Sequence, residues 1–134
     1  MNIALNNNVK QTGGQAITTA NYFTTYREDR QSTRDQELLY YDAIISSEAS
    51  SETAIANAEA KKQEIIETMD KELIMEGLIK AKGFEDVIVT TSNASVNVII
   101  KASELQSNEV AQIVQIVKDQ TKKDIDNIKI IPVE

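Results

Sequence analysis

The segment "LIKAKGFEDVIVTTSNASVNVIIK" (residues 78–101) decides the fold, because the spacing of its apolar residues changes within it. Before Gly83 the apolar residues recur at helical intervals, and Gly83 itself suits the left-handed position that follows a helix end. After Gly83 the β-branched residues of 86–91 and 95–101 alternate along the chain, which is typical of strands with one face in a core. Ser92-Asn93-Ala94 separates these two segments, so the sequence predicts a helix that leads into a β-hairpin.

Upstream of this segment the sequence predicts two long helices, over residues 20–47 and 53–82. A serine-rich stretch interrupts them, in which Ser50 or Ser51 is placed to cap the second helix. The predicted apolar face of the second helix consists of Ile65, Ile66, Met69, Leu73, Leu78 and Ile79. Asp70 could cap a separate last segment, so one kinked helix and two shorter helices both remain open.

Downstream, a third helix is predicted from Ser107, and residues 127–133 are predicted to form a third strand. The sequence therefore predicts an α+β fold in which long N-terminal helices precede an α-β-β-α-β unit with KH-like topology. We expect the three-stranded sheet of this unit to be covered on one face by two helices. The predicted division is a flexible tether over residues 1–18, a helical hairpin over 19–69 and the α-β-β-α-β domain over 70–134.

The alternation within the strands assigns their side chains to two faces of the sheet. We expect the helices to cover the face that carries Val87, Val89, Val96, Val98, Ile100, Ile128 and Ile130. The opposite face then carries Ile88, Ile99 and Ile131. Singly exposed isoleucines are normal on protein surfaces, whereas three that adjoin form the kind of apolar patch that marks an interface. Both interpretations remain open, and the three isoleucines are candidate interface residues.

A second candidate interface lies in "ANYFTTYREDRQSTRDQE" (residues 20–37), which holds half of the chain's aromatic residues, namely Tyr22, Phe23 and Tyr26. Three arginines follow at the helical positions i, i+3 and i+7, namely Arg27, Arg30 and Arg34. Because residues 27–37 contain no apolar residue, we expect a solvated helix supported by local ion pairs. The aromatic rings then either pack back onto the second helix or, together with Arg27 and Arg30, contact a partner.

The composition excludes several classes of function. The 14 basic and 21 acidic residues give a net charge of −7, which argues against binding to a nucleic-acid backbone. Cysteine and histidine are absent, which excludes disulfides, Cys/His zinc sites and histidine-based catalysis. No nucleophile elbow, phosphate-binding loop or metal-ligand cluster is present. We therefore predict a non-enzymatic interaction module without catalytic, cofactor-binding or metal-binding residues. The alternative is a KH-like nucleic-acid-binding module, although the G-x-x-G loop of such modules is missing.

Two motifs resemble the stage III sporulation protein AH family. Residues 22–30 match the Y-F-x-x-Y-R-x-x-R pattern of the helix that follows the membrane anchor in that family. Residues 78–86 match its helix–turn–strand signature, L-I-K-A-K-G-[FY]-x-D. The two motifs occur in the family's order, and the resemblance extends over residues 20–133.

The resemblance implies a ring-building domain like those of flagellar and type III secretion rings. It also implies a place in the space between mother cell and forespore. There the family binds stage II sporulation protein Q, a forespore protein with a peptidase-like extracytoplasmic domain, in a channel-like complex, and self-association into a ring is expected. Members are anchored in the mother-cell membrane by an N-terminal helix. This chain has no apolar run of about 18 residues, so we expect the anchor to precede Met1.

Overall fold

The computed structural model describes residues 18–134, in which three helices and three strands are joined by short connections. The elements are α1 (Thr19–Ser46), α2 (Glu52–Lys80), β1 (Val87–Thr91), β2 (Val96–Lys101), α3 (Ser107–Thr121), a 3-10 helix (Ile125–Asn127) and β3 (Ile128–Val133). This order confirms the predicted α+β class, with two long helices ahead of a three-stranded sheet. The predicted tether, residues 1–18, lies outside the described residues except for Thr18.

The two long helices form an antiparallel hairpin with a serine cap at its turn. Thr18 caps α1 by accepting a hydrogen bond from the Asn21 N–H at 3.0 Å, and Ser51 caps α2 by accepting one from the Ala54 N–H at 3.1 Å. α2 continues without interruption through Asp70, so the alternative of two shorter helices is wrong. The helices have 28 and 29 residues, or roughly 42 Å each at ~1.5 Å per residue, so the hairpin extends beyond the sheet.

The sheet has the strand order β1-β2-β3, with β1 antiparallel and β3 parallel to β2. Val98 of β2 pairs with Val89 on one side and with Ile130 on the other, which sets a common alternation in all three strands. One face packs against α2 and α3 in the main core, made of Met75, Ile79, Val87, Val89, Val96, Val98, Ile100, Ile113 and Val117. This is the face that the alternation predicts, so the predicted register is confirmed.

The second face of the sheet is covered as well, which corrects the expectation of an open face. α1 begins over this face and contributes one fully buried ring to a second core. Its members are Phe23, Ile88, Ile99, Ile131 and Val133. Ile99 is only 2% exposed and Ile131 only 9%. Tyr22 and Tyr26 pack beside this core. The aromatic rings therefore pack on the sheet, and the alternative in which they pack back onto the second helix is wrong.

The second half of α2 turns a different side to the core than its apolar residues predict. Its buried positions are Glu72, Met75, Glu76 and Ile79. Three residues of the predicted apolar face are instead exposed: Leu73 by 70%, Ile66 by 48% and Leu78 by 43%. Two glutamates occupy the buried side because arginines of α1 pair with them. Apolar spacing therefore predicts the burial of Ile79 correctly but wrongly places Leu73 and Leu78 on the core side.

Gly83 follows α2 with a φ of 108°, a conformation that residues with a Cβ rarely adopt. A Cβ at this position meets no other atom within 4 Å, so backbone strain is the main cost of a substitution. We expect Gly83→Val to lower the free energy of unfolding by at least ~1 kcal/mol. The melting temperature, measured by circular dichroism, should fall by about 4 °C per kcal/mol.

Gly77→Ala is the matched control for this strain. Gly77 lies inside α2, and a Cβ on it also meets no atom within 4 Å. Because alanine is the better helix former, this variant should keep the wild-type stability or gain up to ~1 kcal/mol. Equal melting temperatures for Gly83→Val and the wild type would contradict the strain at Gly83.

Candidate partner-binding site

The first turns of α1 hold the aromatic cluster against the sheet. The Tyr22 and Phe23 rings meet edge to face with their centroids 5.7 Å apart, and the Tyr22 and Tyr26 centroids are 6.2 Å apart. The Tyr26 hydroxyl lies 3.2 Å from the Thr90 hydroxyl of β1, within hydrogen-bond distance. Burial, followed by the proximity of Tyr26, raises the pKa of the Tyr22 hydroxyl. The cluster thus fixes the start of α1 on the sheet.

Arg27 lies one turn further along α1, beside the start of β1. Its guanidinium donates to both carboxylate oxygens of Asp86, at 3.1 Å to Oδ2, and to the Val87 carbonyl oxygen at 3.1 Å. The guanidinium also lies 5.8 Å from the centroid of the Phe23 ring, a cation–π distance. The hydrogen bond with Asp86 is the main reason why the pKa of Arg27 is raised. Arg27 therefore links the aromatic cluster to the edge of the sheet.

Arg30 and Arg34 form an ion-pair network with Glu72 and Glu76 of α2. Arg30 donates to Glu76 Oε2 at 2.9 Å, and Arg34 donates to the two carboxylate oxygens of Glu72 at 2.7 and 2.9 Å. Only 2% of the Glu72 side chain is exposed. The hydrogen bond with Glu72 is the main cause that raises the pKa of Arg34. Residues 27–37 of α1 are mostly exposed, as expected for a solvated helix. The expectation of local ion pairs is wrong, because the three arginines pair with acidic residues outside α1.

The same side chains close the outer edge of β1. The Val89 N–H donates to Glu76 at 2.9 Å, and the Thr91 N–H donates to Glu72 at 2.8 Å. Arg30 in turn donates to the Val89 carbonyl oxygen at 2.8 Å. An unpaired edge strand is a template for pairing with another chain. Here carboxylates and guanidinium groups take the hydrogen bonds that a neighbouring strand would take, so this edge is closed.

A groove follows one side of the α1–α2 pair from the hairpin towards the start of β1. It consists of three cavities of about 540, 200 and 460 Å³. The second and third cavities share Leu73 and Glu76. The first lies in line with them on α2, because its Ile66 precedes Leu73 by seven residues, or two helical turns. The apolar residues that line it are Ile45, Ile66, Met69, Leu73 and Gly77, with Val87 at its inner end. We call this surface the seam groove.

The structure brings the predicted interface residues together, but it buries half of them within the chain. Phe23, Ile88, Ile99 and Ile131 are at most 9% exposed, so they reach a partner only if α1 leaves the sheet. The residues that keep part of their surface are Tyr22, Tyr26, Arg27 and Arg30. Arg27 and Arg30 also line the inner part of the seam groove. Sequence reasoning missed the two buried glutamates of α2 that hold the arginines in place.

Asp86 gives the stability of this site a defined dependence on pH. Burial works to raise the pKa of its carboxyl, but the hydrogen bond and charge of Arg27, together with the Val87 N–H, outweigh burial and lower the pKa below 3.8. A carboxyl whose pKa is lower in the folded state than in the unfolded state stabilises the fold at pH values above its unfolded-state pKa. That stability is lost as the pH falls through the folded-state pKa.

We therefore expect the advantage of the wild type over Asp86→Asn in unfolding free energy to be full near pH 6 and to shrink progressively below about pH 4. Urea unfolding at a series of pH values measures this difference. Asp119→Asn is the control, because Asp119 is exposed and its side chain bonds only to Gln115 within the described residues. An advantage over Asp86→Asn that stays constant down to about pH 2 would contradict the role of the Asp86 charge.

Two further properties concern the described residues as a whole. Between residues 18 and 134, no group of three or more aspartate, glutamate, histidine or cysteine side chains is placed to hold a metal ion. None of the helices in this range is both long and apolar enough to cross a membrane.

This chain is similar to known proteins in both sequence and fold. Residues 3–130 match the profile of the SpoIIIAH-like protein family. Stage III sporulation protein AH of Bacillus subtilis (strain 168) is 30% identical over 100 residues, which are 75% of this chain and 46% of that protein, so the chain spans about half of its length. A solved structure of the SpoIIQ–SpoIIIAH pore-forming complex contains a chain that matches with a TM-score of 0.74 and 28% identity, over 84% of this chain and 98% of that one. With a family profile matched over nearly its whole length, this chain belongs to the SpoIIIAH-like protein family.

Proposed function

We propose that this chain is a non-enzymatic structural component of a sporulation complex and that it binds the extracytoplasmic domain of a SpoIIQ-like forespore protein. The observation that carries this proposal is the likeness to a chain of the SpoIIQ–SpoIIIAH complex, at a TM-score of 0.74 and over 98% of that chain. The proposal includes a location between mother cell and forespore, an N-terminal anchor in the mother-cell membrane and a part in a channel between the two cells.

The chemistry of α1 supports protein contact over nucleic-acid contact. The arginines that would meet a phosphate backbone are paired with carboxylates of the same chain, Arg27 with Asp86, Arg30 with Glu76 and Arg34 with Glu72. A protein that binds nucleic acid needs such cations free to replace the counterions of the phosphates. The KH-like alternative therefore finds no support in this helix, and the net charge of −7 also opposes it.

The predicted interface residues that keep exposed surface are part of this proposal. Tyr22, Tyr26, Arg27 and Arg30 contribute to contacts with the partner or with a neighbouring subunit through their exposed atoms. Tyrosine and arginine are enriched in interfaces because each combines a large contact area with hydrogen-bonding groups.

Self-association into a ring belongs to the membrane-bound state in this proposal. Anchoring in one membrane raises the effective concentration of subunits towards each other. Without an anchor, the chain of −7 net charge should be a monomer or a weak oligomer at micromolar concentration. Sedimentation velocity at several concentrations measures this, and a stable closed ring of the unanchored chain would contradict it.

Isothermal titration calorimetry with the extracytoplasmic domain of the SpoIIQ-like protein from the same organism tests the main proposal. We expect a 1:1 complex with a Kd of about 1 μM or below, which corresponds to about −8 kcal/mol. An unrelated acidic domain of similar size serves as the control. No binding at about 100 μM, two orders of magnitude above the expected Kd, would overturn the proposal.

A further inference from the structure

The seam groove has the shape of a site for a third helix. Two packed helices leave a lengthwise groove on each side, into which the side chains of another helix fit. On α2 the seam groove extends from Glu59 to Lys80. At ~1.5 Å per residue this distance is roughly 30 Å, the length of a helix of about 20 residues.

One strip of the groove, on α2, is apolar and open. Ile66, Leu73 and Gly77 follow one another at intervals of seven and four residues, which places them on one face of α2. Ile66 is 48% and Leu73 is 70% exposed. Apart from the adjoining backbone of α2, no atom of the described residues lies within 4 Å of the position of a Gly77 Cβ, so a second backbone can approach α2 closely there. An apolar strip of this kind in a groove marks an interaction site.

The rim of the groove carries uncompensated negative charge. Within residues 18–134, three of its acidic residues form no salt bridge, namely Glu59, Glu67 and Asp70. Most of the basic residues that line the groove are already engaged, Lys62 by Asp42 and the arginines by the acids described above. Lys80 is the exception within this range. The groove therefore attracts positive charge along most of its length.

We propose that the seam groove is a docking site for a basic amphipathic helix of a protein partner. The apolar side of such a helix covers Ile66 and Leu73, and its lysines or arginines meet the acidic rim. A second copy of this chain is a poor occupant. It has a net charge of −7, and a symmetric dimer would place one acidic rim against another.

A synthetic 20-residue helix of leucine and lysine, with leucines at helical spacing along one side, is the probe for this proposal. The fluorescence anisotropy of the labelled probe, titrated with the full chain, gives the affinity. Changes in the amide chemical shifts of the chain show where the probe binds. Two pairs of variants have matched chemistry and exposure. Ile66→Asp lies in the groove and Ile74→Asp does not, although both isoleucines are on α2 and 48% exposed. Leu73→Asp lies in the groove, and Leu39→Asp, at a similar exposure, lies outside it.

We expect Ile66→Asp and Leu73→Asp each to weaken binding of the probe at least tenfold, because anchors in a specific interface have effects of this size. Ile74→Asp and Leu39→Asp should bind like the wild type. Circular-dichroism melts of all four variants should match, since each side chain is exposed. Equal affinity of all four variants, or shift changes centred away from Ile45, Ile66 and Leu73, would overturn the proposal.

The charge of the rim has its own matched test. A triple variant, Glu59→Gln, Glu67→Gln and Asp70→Asn, should weaken the leucine–lysine probe and reduce the salt dependence of its binding. The control removes three exposed charges elsewhere, with Glu28→Gln, Glu48→Gln and Glu104→Gln, and should have a much smaller effect. A leucine–glutamate helix that binds the wild type as well as the leucine–lysine helix does would also overturn the proposal.

Discussion

Replacing Phe23 with alanine should lower the free energy of unfolding by about 3–5 kcal/mol. Phe23 is the only fully buried residue of α1. Its ring therefore makes the main apolar contact between this helix and the sheet. Truncation leaves a cavity above Ile88 and Ile99. For the 117 residues that the structure describes, 18–134, the melting temperature should fall by about 4 °C per kcal/mol, or roughly 12–20 °C in total.

Tyr40→Ala is the control for Phe23→Ala. It also removes an aromatic ring from α1, but Tyr40 is 64% exposed and should contribute less than about 0.5 kcal/mol. A thermal melt by circular dichroism compares both variants with the wild type. Equal melting temperatures for Phe23→Ala and the wild type would mean that the start of α1 is not docked on the sheet in solution.

Glu72→Ala should lower the free energy of unfolding by about as much as Phe23→Ala, but for an electrostatic reason. The Glu72 carboxylate accepts hydrogen bonds from Arg34, the Thr91 N–H and the Thr91 hydroxyl, and its side chain is 2% exposed. Without it, the guanidinium and the backbone N–H lose their partner in a poorly solvated place. Removing one partner of a buried ion pair lowers the free energy of unfolding by about 3–5 kcal/mol. Urea unfolding should therefore show a much lower midpoint at an unchanged slope.

Two variants separate this effect from a simple loss of charge on α2. Glu64→Ala removes a carboxylate that is 53% exposed and pairs with Lys61 at 3.5 Å, so it should change stability by less than about 0.5 kcal/mol. The double variant Glu72→Ala with Arg34→Ala should cost clearly less than the sum of the two single variants, because it leaves no unpaired guanidinium. Additive effects would argue against a coupled pair.

The sheet could be predicted from the sequence because its pattern has a period of two. A shift of one residue in the strand register would exchange the two faces of the sheet. Assigning Val89 to one face therefore also assigns Ile88 to the other. The structure places Val89 in the main core and Ile88 in the second core, as the alternation requires. The extents of the strands also follow the β-branched runs to within one residue.

The docking of α1 could not be predicted, because it does not follow a repeated apolar pattern. A single ring, Phe23, provides the fully buried apolar contact, and the rest of the attachment consists of ion pairs to Asp86 and to the glutamates of α2. The spacing of Arg27, Arg30 and Arg34 was visible, but the position of their partners depends on the tertiary fold. Residue spacing shows that the three arginines share one face of the helix. It does not show which residues that face contacts.

A weak signal for the buried glutamates was present in α2. Glu72 and Glu76 are four residues apart and alternate with Met75 and Ile79, which are both fully buried. Acidic residues rarely occupy the buried face of a helix unless a basic side chain pairs with them. The same signal would have identified Leu73 as exposed, because it lies about 100° around the helix from Glu72.

The position of the second core has a consequence for biosynthesis. The first turn of α1 lies beside the end of β3, and the Thr19 hydroxyl donates to the carbonyl oxygen of Glu134, the residue after β3, across 115 positions of the chain. At about 5–20 residues per second, a ribosome needs roughly 6–23 s to make the intervening chain. During that time Phe23 lacks part of its final environment, and the charged residues after it keep the nascent helix soluble. The helix–hairpin unit can form earlier because its contacts are local, so closing the second core should be the last step in the folding of residues 18–134, after β3 has been synthesised.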